Sequence, residues 1–289
     1  MARTVEQGFE LFLDWIMPSQ SERLTRVRHR SRIETSLRSQ LDVSLIREIG
    51  SFTHGTGVHR HCDADLLVSI RGGRPGSSDT ALSWVKGALQ KSFPFTSVYV
   101  SRPAVVVAFA GGDETWEITP GFHSHRTADD DHVYDIPGAA SGWLESAPQA
   151  HLDYVTEING MDKVAGGAKK LTRLAKAWKY YNSVPISSFY LEMRAARYMQ
   201  DEPNFIPVHD ISRLLNKLED DGLAAMNDPM GIAGRFYACS TDPKKRDALS
   251  KLSTAATRAR KAVEAYKSGD PATAFYYLNL LFGGEFPAR

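Results

Sequence analysis

Two stretches decide the reading of this sequence: Gly50-Ser51-Phe52-Thr53-His54-Gly55-Thr56, and after it Cys62-Asp63-Ala64-Asp65-Leu66-Leu67-Val68. Leu66 to Ile70 is a short apolar run closed by Arg71-Gly72-Gly73-Arg74-Pro75-Gly76, and it reads as a buried strand followed by a loop. Asp63 and Asp65 stand two residues apart at the start of that strand. Side chains alternate along a strand, so both carboxylates leave the same face. Two carboxylates that close repel, and each resists ionisation. A divalent cation between them removes the conflict, and carboxylate and phosphate oxygens are the ligands Mg²⁺ prefers. Gly50-Ser51 supplies the complement: glycine permits close backbone approach, and the serine hydroxyl with neighbouring N–H groups can hold phosphate oxygens.

A third carboxylate stands in Trp116-Glu117-Ile118-Thr119-Pro120, where Trp116 and Ile118 would point to the opposite, core-facing side. Three such acids let two cations sit roughly 3.5–4 Å apart, activate a hydroxyl and steady an in-line displacement at phosphorus. Residues 96–101, 104–109 and 115–118 are rich in Val, Tyr, Phe, Thr and Trp and read as strands, punctuated by Pro103 and Gly111-Gly112. Ile33, Leu37, Leu41 and Leu45 recur at four-residue spacing, which predicts one helix face ended by Gly50-Ser51, and residues 83–91 suit another helix. Residues 119–150, full of Pro, Gly, Ser and Asp, read as a long loop with His123 and His125 at the surface. From Leu171 onward only helical spacing is found: Leu171, Leu174, Ala175, Trp178 and Tyr181, then Phe189, Met193 and Ala196, then Ile211 to Leu218, then residues 248–266. The order is an α+β front followed by an all-α back.

Composition narrows the class. With 42% hydrophobic and 24% charged residues the chain matches ordinary globular proteins, which excludes a disordered, collagen-like or coiled-coil protein. Lys and Arg number 35 against 34 Asp and Glu, so the net charge of +1 demands neither nucleic acid nor an anionic membrane. Cys62 and Cys239 are too few for a disulfide scaffold or a Cys-rich zinc site. The longest apolar stretch, Ala104 to Ala110, is far short of the roughly 20 residues that span a bilayer. No signal-peptide core opens the chain. These features predict a cytoplasmic protein without membrane attachment.

On the residues above, the sequence resembles the polymerase-β nucleotidyltransferase superfamily. Within it the chain is most similar to the bacterial cGAS/DncV-like nucleotidyltransferases (CD-NTases), which make cyclic oligonucleotide signals in anti-phage defence. The resemblance continues through Tyr134-Asp135-Ile136-Pro137, Gly142-Trp143, Asp153-Tyr154 and Asn159. It resumes at Arg173-Leu174-Ala175-Lys176-Ala177-Trp178, Ser187-Ser188-Phe189-Tyr190-Leu191-Glu192 and Asp228-Pro229. It implies a two-lobed α+β fold: a nucleotidyltransferase core over residues 1–155, with the N-terminal helix, and a helical lobe over 156–289 across a cleft. It implies that Asp63, Asp65 and Glu117 hold two Mg²⁺ or Mn²⁺ ions, with Glu117 or Asp63 helping to activate a ribose hydroxyl. It places Gly50 and Ser51 at the donor triphosphate, with Lys176 and Ser188 at the outer phosphates. Lys179, one turn on, is the alternative to Lys176, and Ser188 is also a candidate helix cap. Asn159 reads a base edge or caps a helix. The third acid is Glu where the family more often has Asp. The zinc-binding insertion of the vertebrate sensor has no counterpart, which argues against DNA sensing by that device.

The expected function is a metal-dependent joining of nucleoside triphosphates into a cyclic di- or trinucleotide, by a monomer that answers to a regulatory partner protein or nucleic-acid activator. The alternatives are linear nucleotidyl transfer to an RNA end or a protein, and a nucleotide-binding module without turnover. His59-Arg60-His61-Cys62 fits no standard zinc spacing. Trp143, Phe189 and Tyr190 read as core, and Tyr134 as a candidate for stacking on a base. The basic runs at 163–181 and 244–267 read first as solvated helix faces and second as sites for regulatory nucleic acid. No Walker-type loop, Gly-x-Gly-x-x-Gly or Gly-x-Ser-x-Gly occurs, which argues against a P-loop NTPase, a dinucleotide-binding oxidoreductase and an α/β-hydrolase.

Overall fold

A computed structural model describes residues 3–61, 63–109 and 114–289, with the side chains of residues 20–26 set aside. Cys62 and Gly111-Gly112, weighed above, lie outside the described residues. The chain forms two compact units: residues 18–153 with 230–234, and residues up to Met17 with 154–229 and 235–289. Helix α1 (Val5–Trp15) opens the chain and belongs to the second unit.

The first unit runs α2 (Gln20–Gln40), β1 (Val43–Ile49), α3 (Gly50–Thr53), β2 (Ala64–Ile70), α4 (Ser78–Ser92), β3 (Ser97–Ser101), β4 (Ala104–Phe109), β5 (Glu114–Arg126), β6 (His132–Pro137) and β7 (Trp143–Ser146). The strands form a mixed sheet in the order β1-β2-β5-β4-β3, with β6 on the far half of β5 and β7 on β6. β2 and β5 run parallel. Alternation decides which face is which. Ala64, Leu66, Val68 and Ile70 of β2 and Trp116, Ile118 and Phe122 of β5 enter one hydrophobic core. Ile33 and Leu37 of α2 and Leu82, Val85 and Leu89 of α4 cover it. Asp65, Leu67, Glu117 and Thr119 therefore stand on the other face. A one-residue slip would bury both acids and expose Trp116, so the apolar pattern fixes the register.

Two expectations are corrected. The helix predicted through Leu45 ends at Gln40, and Leu45 lies in β1 opposite Ser69. Its four-residue spacing from Leu41 runs across a helix–strand junction. Residues 119–150 are not a long loop: β5 continues to Arg126, and β6 and β7 follow. The turn-forming residues concentrate in 127–131 and 138–142, while Val133 is buried with Ala147 and Ala150.

Helix α5 (Pro148–Gly160) carries the chain from one unit to the other. The second unit then runs α6 (Gly167–Tyr181), α7 (Ser188–Asp201), α8 (Pro207–Asp220), the two-residue strands β8 (Met226–Asn227) and β9 (Arg235–Phe236), α9 (Asp242–Lys267) and α10 (Pro271–Leu281). The buried stripe of α9 is Ala248, Ala255, Ala256, Ala259, Ala262 and Ala265 with one Leu, which lets α8 and α10 approach closely. The expected division put the N-terminal helix with residues 18–155. Packing puts α1 with the helices instead, because Phe9 and Phe12 are buried against Phe282 and Phe286, with ring centroids 4.6–6.5 Å apart. Residue 8 must be small there, since a Cβ would meet Phe275 at 2.9 Å.

Candidate active site

The parallel pairing of β2 with β5 sets Asp65 directly beside Glu117. Both are partly exposed, and Asp63, just ahead of β2, is exposed. Asp65 also faces Ile49, the last residue of β1, so the turn that follows β1 lies against the acid. Gly50 opens that turn with φ +73°, a left-handed conformation that costs any side-chain-bearing residue. A Cβ there would fall 2.0 Å from Asp65 Oδ2. Two independent demands thus require glycine beside the carboxylate. Ser51 follows in α3, held because the Thr56 N–H donates to its carbonyl at 2.9 Å and the His54 N–H to that of Gly50 at 3.1 Å. Thr56 and His54 are buried and anchor the turn.

The donors at this face are carboxylate oxygens, the hard ligands that suit Mg²⁺ or Mn²⁺. Among the described residues no three His, Cys, Asp or Glu side chains are gathered as a metal-binding group. Asp65 and Glu117 share a sheet face. The His61 imidazole is held below its ordinary range, first by burial, with Asp63 acting the other way.

The helical unit holds the other expected residues. Lys176 is enclosed: its Nζ lies 2.7 Å from Glu192 Oε2, and the two side chains are 1% and 3% exposed. Lys179, partly exposed, donates from Nζ to Ser188 Oγ at 2.5 Å. The Tyr180 hydroxyl lies 3.1 Å from the same Oγ. The structure therefore brings Ser188 together with Lys179. Ser188 is not the cap of α7; Ser187 is, accepting from the Tyr190 N–H at 3.3 Å. Asn159 Oδ1 accepts from the Lys169 N–H at 3.0 Å, in the first turn of α6, whose own cap residue Gly166 offers no side chain. Tyr190 is buried as expected, and burial raises its phenol. The spacing of Lys176 and Lys179 along α6 did not reveal which of the two is buried, because the carboxylate that decides it lies on α7.

Residues 3–159 match the family model described as Second Messenger Oligonucleotide or Dinucleotide Synthetase domain. The chain belongs to this family. The match covers more than half of the sequence and includes Gly50, Ser51 and all three acids. No curated protein matches the chain by sequence. Solved structures of low identity share the fold of this chain. Escherichia coli MS115-1 CdnC, solved with ATP, is 18% identical with a TM-score of 0.75, each chain covered to 98%. The Bradyrhizobium diazoefficiens CD-NTase CdnG, solved with GTP, is 14% identical with a TM-score of 0.71, over 96% of this chain and 98% of that one. Vibrio cholerae DncV, a cyclic AMP-GMP synthase solved with a linear intermediate, is 13% identical with a TM-score of 0.66, over 84% of this chain and 70% of that one. Among the described residues, no helix is long and apolar enough to cross a membrane.

Proposed function

We propose that this synthetase joins ribonucleoside triphosphates into a cyclic di- or trinucleotide signal for anti-phage defence, releasing one pyrophosphate per bond formed. The observation that carries the reading is the register of Asp65 beside Glu117 on the sheet face away from the core, with Gly50 against Asp65. Asp63, Asp65 and Glu117 would hold two Mg²⁺ or Mn²⁺ ions, which when bound acidify a ribose hydroxyl and neutralise the leaving pyrophosphate. Ser51, at the Gly50 turn, is placed to bind phosphate oxygens of the donor. Glu117 or Asp63 accepts the proton of the attacking hydroxyl. The oxygen then bonds to the α-phosphorus as the bond to pyrophosphate breaks. A second transfer between the ends of the linear product closes the ring. Ser188 is assigned to the outer phosphates with Lys179, because an ammonium and two hydroxyls meet there, whereas Lys176 is engaged by Glu192. The ATP named for CdnC and the GTP named for CdnG support nucleoside triphosphates as the substrate class. A regulatory partner, protein or nucleic acid, belongs to the same reading.

The test is incubation of the purified chain with four labelled ribonucleotides and Mg²⁺ or Mn²⁺, then phosphatase treatment and mass spectrometry. Asp63→Asn/Asp65→Asn is the blank. A phosphatase-resistant product absent from the blank is expected. Only linear, phosphatase-sensitive products would overturn the cyclisation step. No product, with or without infected-cell lysate, would overturn the activity.

A further inference from the structure

Strand β3 ends the sheet on one side, and nothing in its sequence guards that edge. A free edge presents a row of unpaired N–H and C=O groups, which proteins commonly blunt with charges, proline or a bulge. β1, at the opposite end, carries Arg47 and Glu48, and the outer strand β7 carries Glu145. β3 holds no charge and no proline, and its pairing with β4 runs without a register shift. From Ser92 to Ser101 the chain has no charged residue at all. Arg102, the next cation, is engaged by Asp79 at 2.6 Å and by the Gly138 carbonyl at 3.1 Å. Ser97, Tyr99, Val100 and Ser101 are exposed, and so is Phe95 just ahead of the strand.

The hairpin fixes which backbone groups lie open. The two-residue turn Arg102-Pro103 joins Ser101 to Ala104, so these two exchange their hydrogen bonds. Alternation then bonds Tyr99 to Val106 and Ser97 to Ala108, and it turns the N–H and C=O of Val98 and Val100 away from β4. Neither residue finds a backbone partner elsewhere among the described residues. The strand is also its own complement: Ser97-Val98-Tyr99-Val100-Ser101 reads the same in both directions. A twofold axis through Tyr99, normal to the sheet, sets Val98 of one copy opposite Val100 of another. Those are the residues whose groups point outward, so they meet as hydrogen-bonded pairs. The two Tyr99 residues then meet as the non-hydrogen-bonded pair, whose side chains stand closest, and Ser97 meets Ser101. No charge faces a like charge. Centring the axis on Val98 or Val100 would shorten the overlap and leave Tyr99 opposite a serine.

We propose that two copies of this chain pair antiparallel through β3, so that the sheet runs on from one copy into the other. The same patch meets itself about a twofold axis, the commonest symmetry of oligomers. Tyr99 pairs with Val106, and Val106 with Glu117, so Tyr99 stands on the acid-bearing face. An axis normal to the sheet keeps that face on the same side in both copies. One short strand pair buries less than the roughly 1,200–2,000 Å² of stable complexes, so the dimer forms and dissociates with concentration. It replaces the monomer expected from sequence and is independent of the proposed activity.

The test is sedimentation velocity of the full chain, without nucleotide, at concentrations from about 1 to 200 µM. The wild-type chain shifts from monomer toward dimer across this range. Tyr99→Lys sets two ammonium groups face to face on the axis, and Tyr99→Glu two carboxylates, so each weakens dimerisation about tenfold or more. An equimolar mixture of the two variants restores the dimer, because lysine then meets glutamate. Val100→Pro removes an outward N–H that the hairpin does not use, so it stays monomeric and melts close to wild type. A wild-type chain that is monomeric at every concentration overturns the inference and leaves the edge to an extended segment of another protein. A dimer that survives Val100→Pro, or that the mixed lysine and glutamate variants do not restore, forms through another surface and overturns it as well.

Discussion

The Lys176 ammonium and the Glu192 carboxylate meet at 2.7 Å, with 1% and 3% of their side chains exposed. Withdrawing two charges from water is costly, and mutual attraction offsets that cost only while both are present. Lys176→Met, which removes the cation in direct contact with buried Glu192, should therefore destabilise the chain by about 3–5 kcal/mol. Replacing both, Lys176→Met/Glu192→Leu, should recover most of the loss. Lys179→Ala should behave oppositely: a small change in melting temperature, but about tenfold weaker binding of a triphosphate, as expected when one charged hydrogen bond is lost. Denaturant unfolding and nucleotide titration of the three variants separate the two lysines. If Lys176→Met is stable and only binding suffers, the assignment of Lys179 to phosphate fails.

Gly50 makes a second sharp prediction. Its φ of +73° and the 2.0 Å approach of a Cβ to Asp65 Oδ2 act together. Gly50→Ala must either unwind the turn or push the carboxylate aside. The left-handed conformation alone costs alanine about 1–2 kcal/mol. Displacement of Asp65 should cost turnover far more than stability, because an active-site group misplaced by about 1 Å can lose about 100-fold in rate. Comparing kcat with the melting temperature of Gly50→Ala checks this. A variant that melts early but retains its rate would show that the turn, and not the acid, is what Gly50 protects.

How much of this was legible beforehand depended on where the deciding contacts lie in the chain. The shared sheet face of Asp65 and Glu117 was readable because alternation with Leu66, Val68, Trp116 and Ile118 is a local pattern that the core enforces. The short strands β6 and β7 were hidden because turn residues outnumber apolar ones across 119–150, although Val133 and Tyr134 are buried. The fate of Lys176 was not readable at all. A lysine in a basic helical run reads as a solvated or phosphate-facing residue, and its partner Glu192 lies on a different helix. Docking of α1 was equally out of reach, since Phe12 meets Phe282 and Phe286 from the other end of the sequence. The bulge at Ser124 was hidden as well, since no residue type announces it.

Stability should fall as pH drops below neutrality. Burial, with Arg126 and His123 nearby, holds the His132 imidazole below its ordinary value of 6.5, against the pull of Asp130. Burial does the same at His209, helped by Arg213 and Lys267 and opposed by Asp210. A histidine with a folded-state pKa below its unfolded one binds fewer protons when folded. Stability then rises with pH through the window below 6.5 and declines as pH falls through it. The double variant His132→Gln/His209→Gln should flatten that slope in melting curves taken between about pH 7.5 and 5.5. An unchanged slope would place the proton uptake at other groups.

The acids give the most direct test of the chemistry. Asp65 and Glu117 lie on the face away from the core, so neutralising either should leave the fold nearly unchanged, within about 0.5 kcal/mol. Turnover is another matter. Asp65→Asn and Glu117→Gln each remove a charge that a divalent cation needs, and each should lower kcat by about 100-fold or more, a barrier increase of about 3 kcal/mol. Glu117→Asp keeps the charge but withdraws it by one methylene, so it should fall between wild type and Glu117→Gln. Added cation should rescue Glu117→Asp better than Glu117→Gln, because only the former still offers a carboxylate ligand. Removing divalent cations with a chelator should abolish wild-type turnover, and either Mg²⁺ or Mn²⁺ should restore it. Full activity in Glu117→Gln would remove the third ligand from the mechanism and leave Asp63 and Asp65 as the only acids of the site.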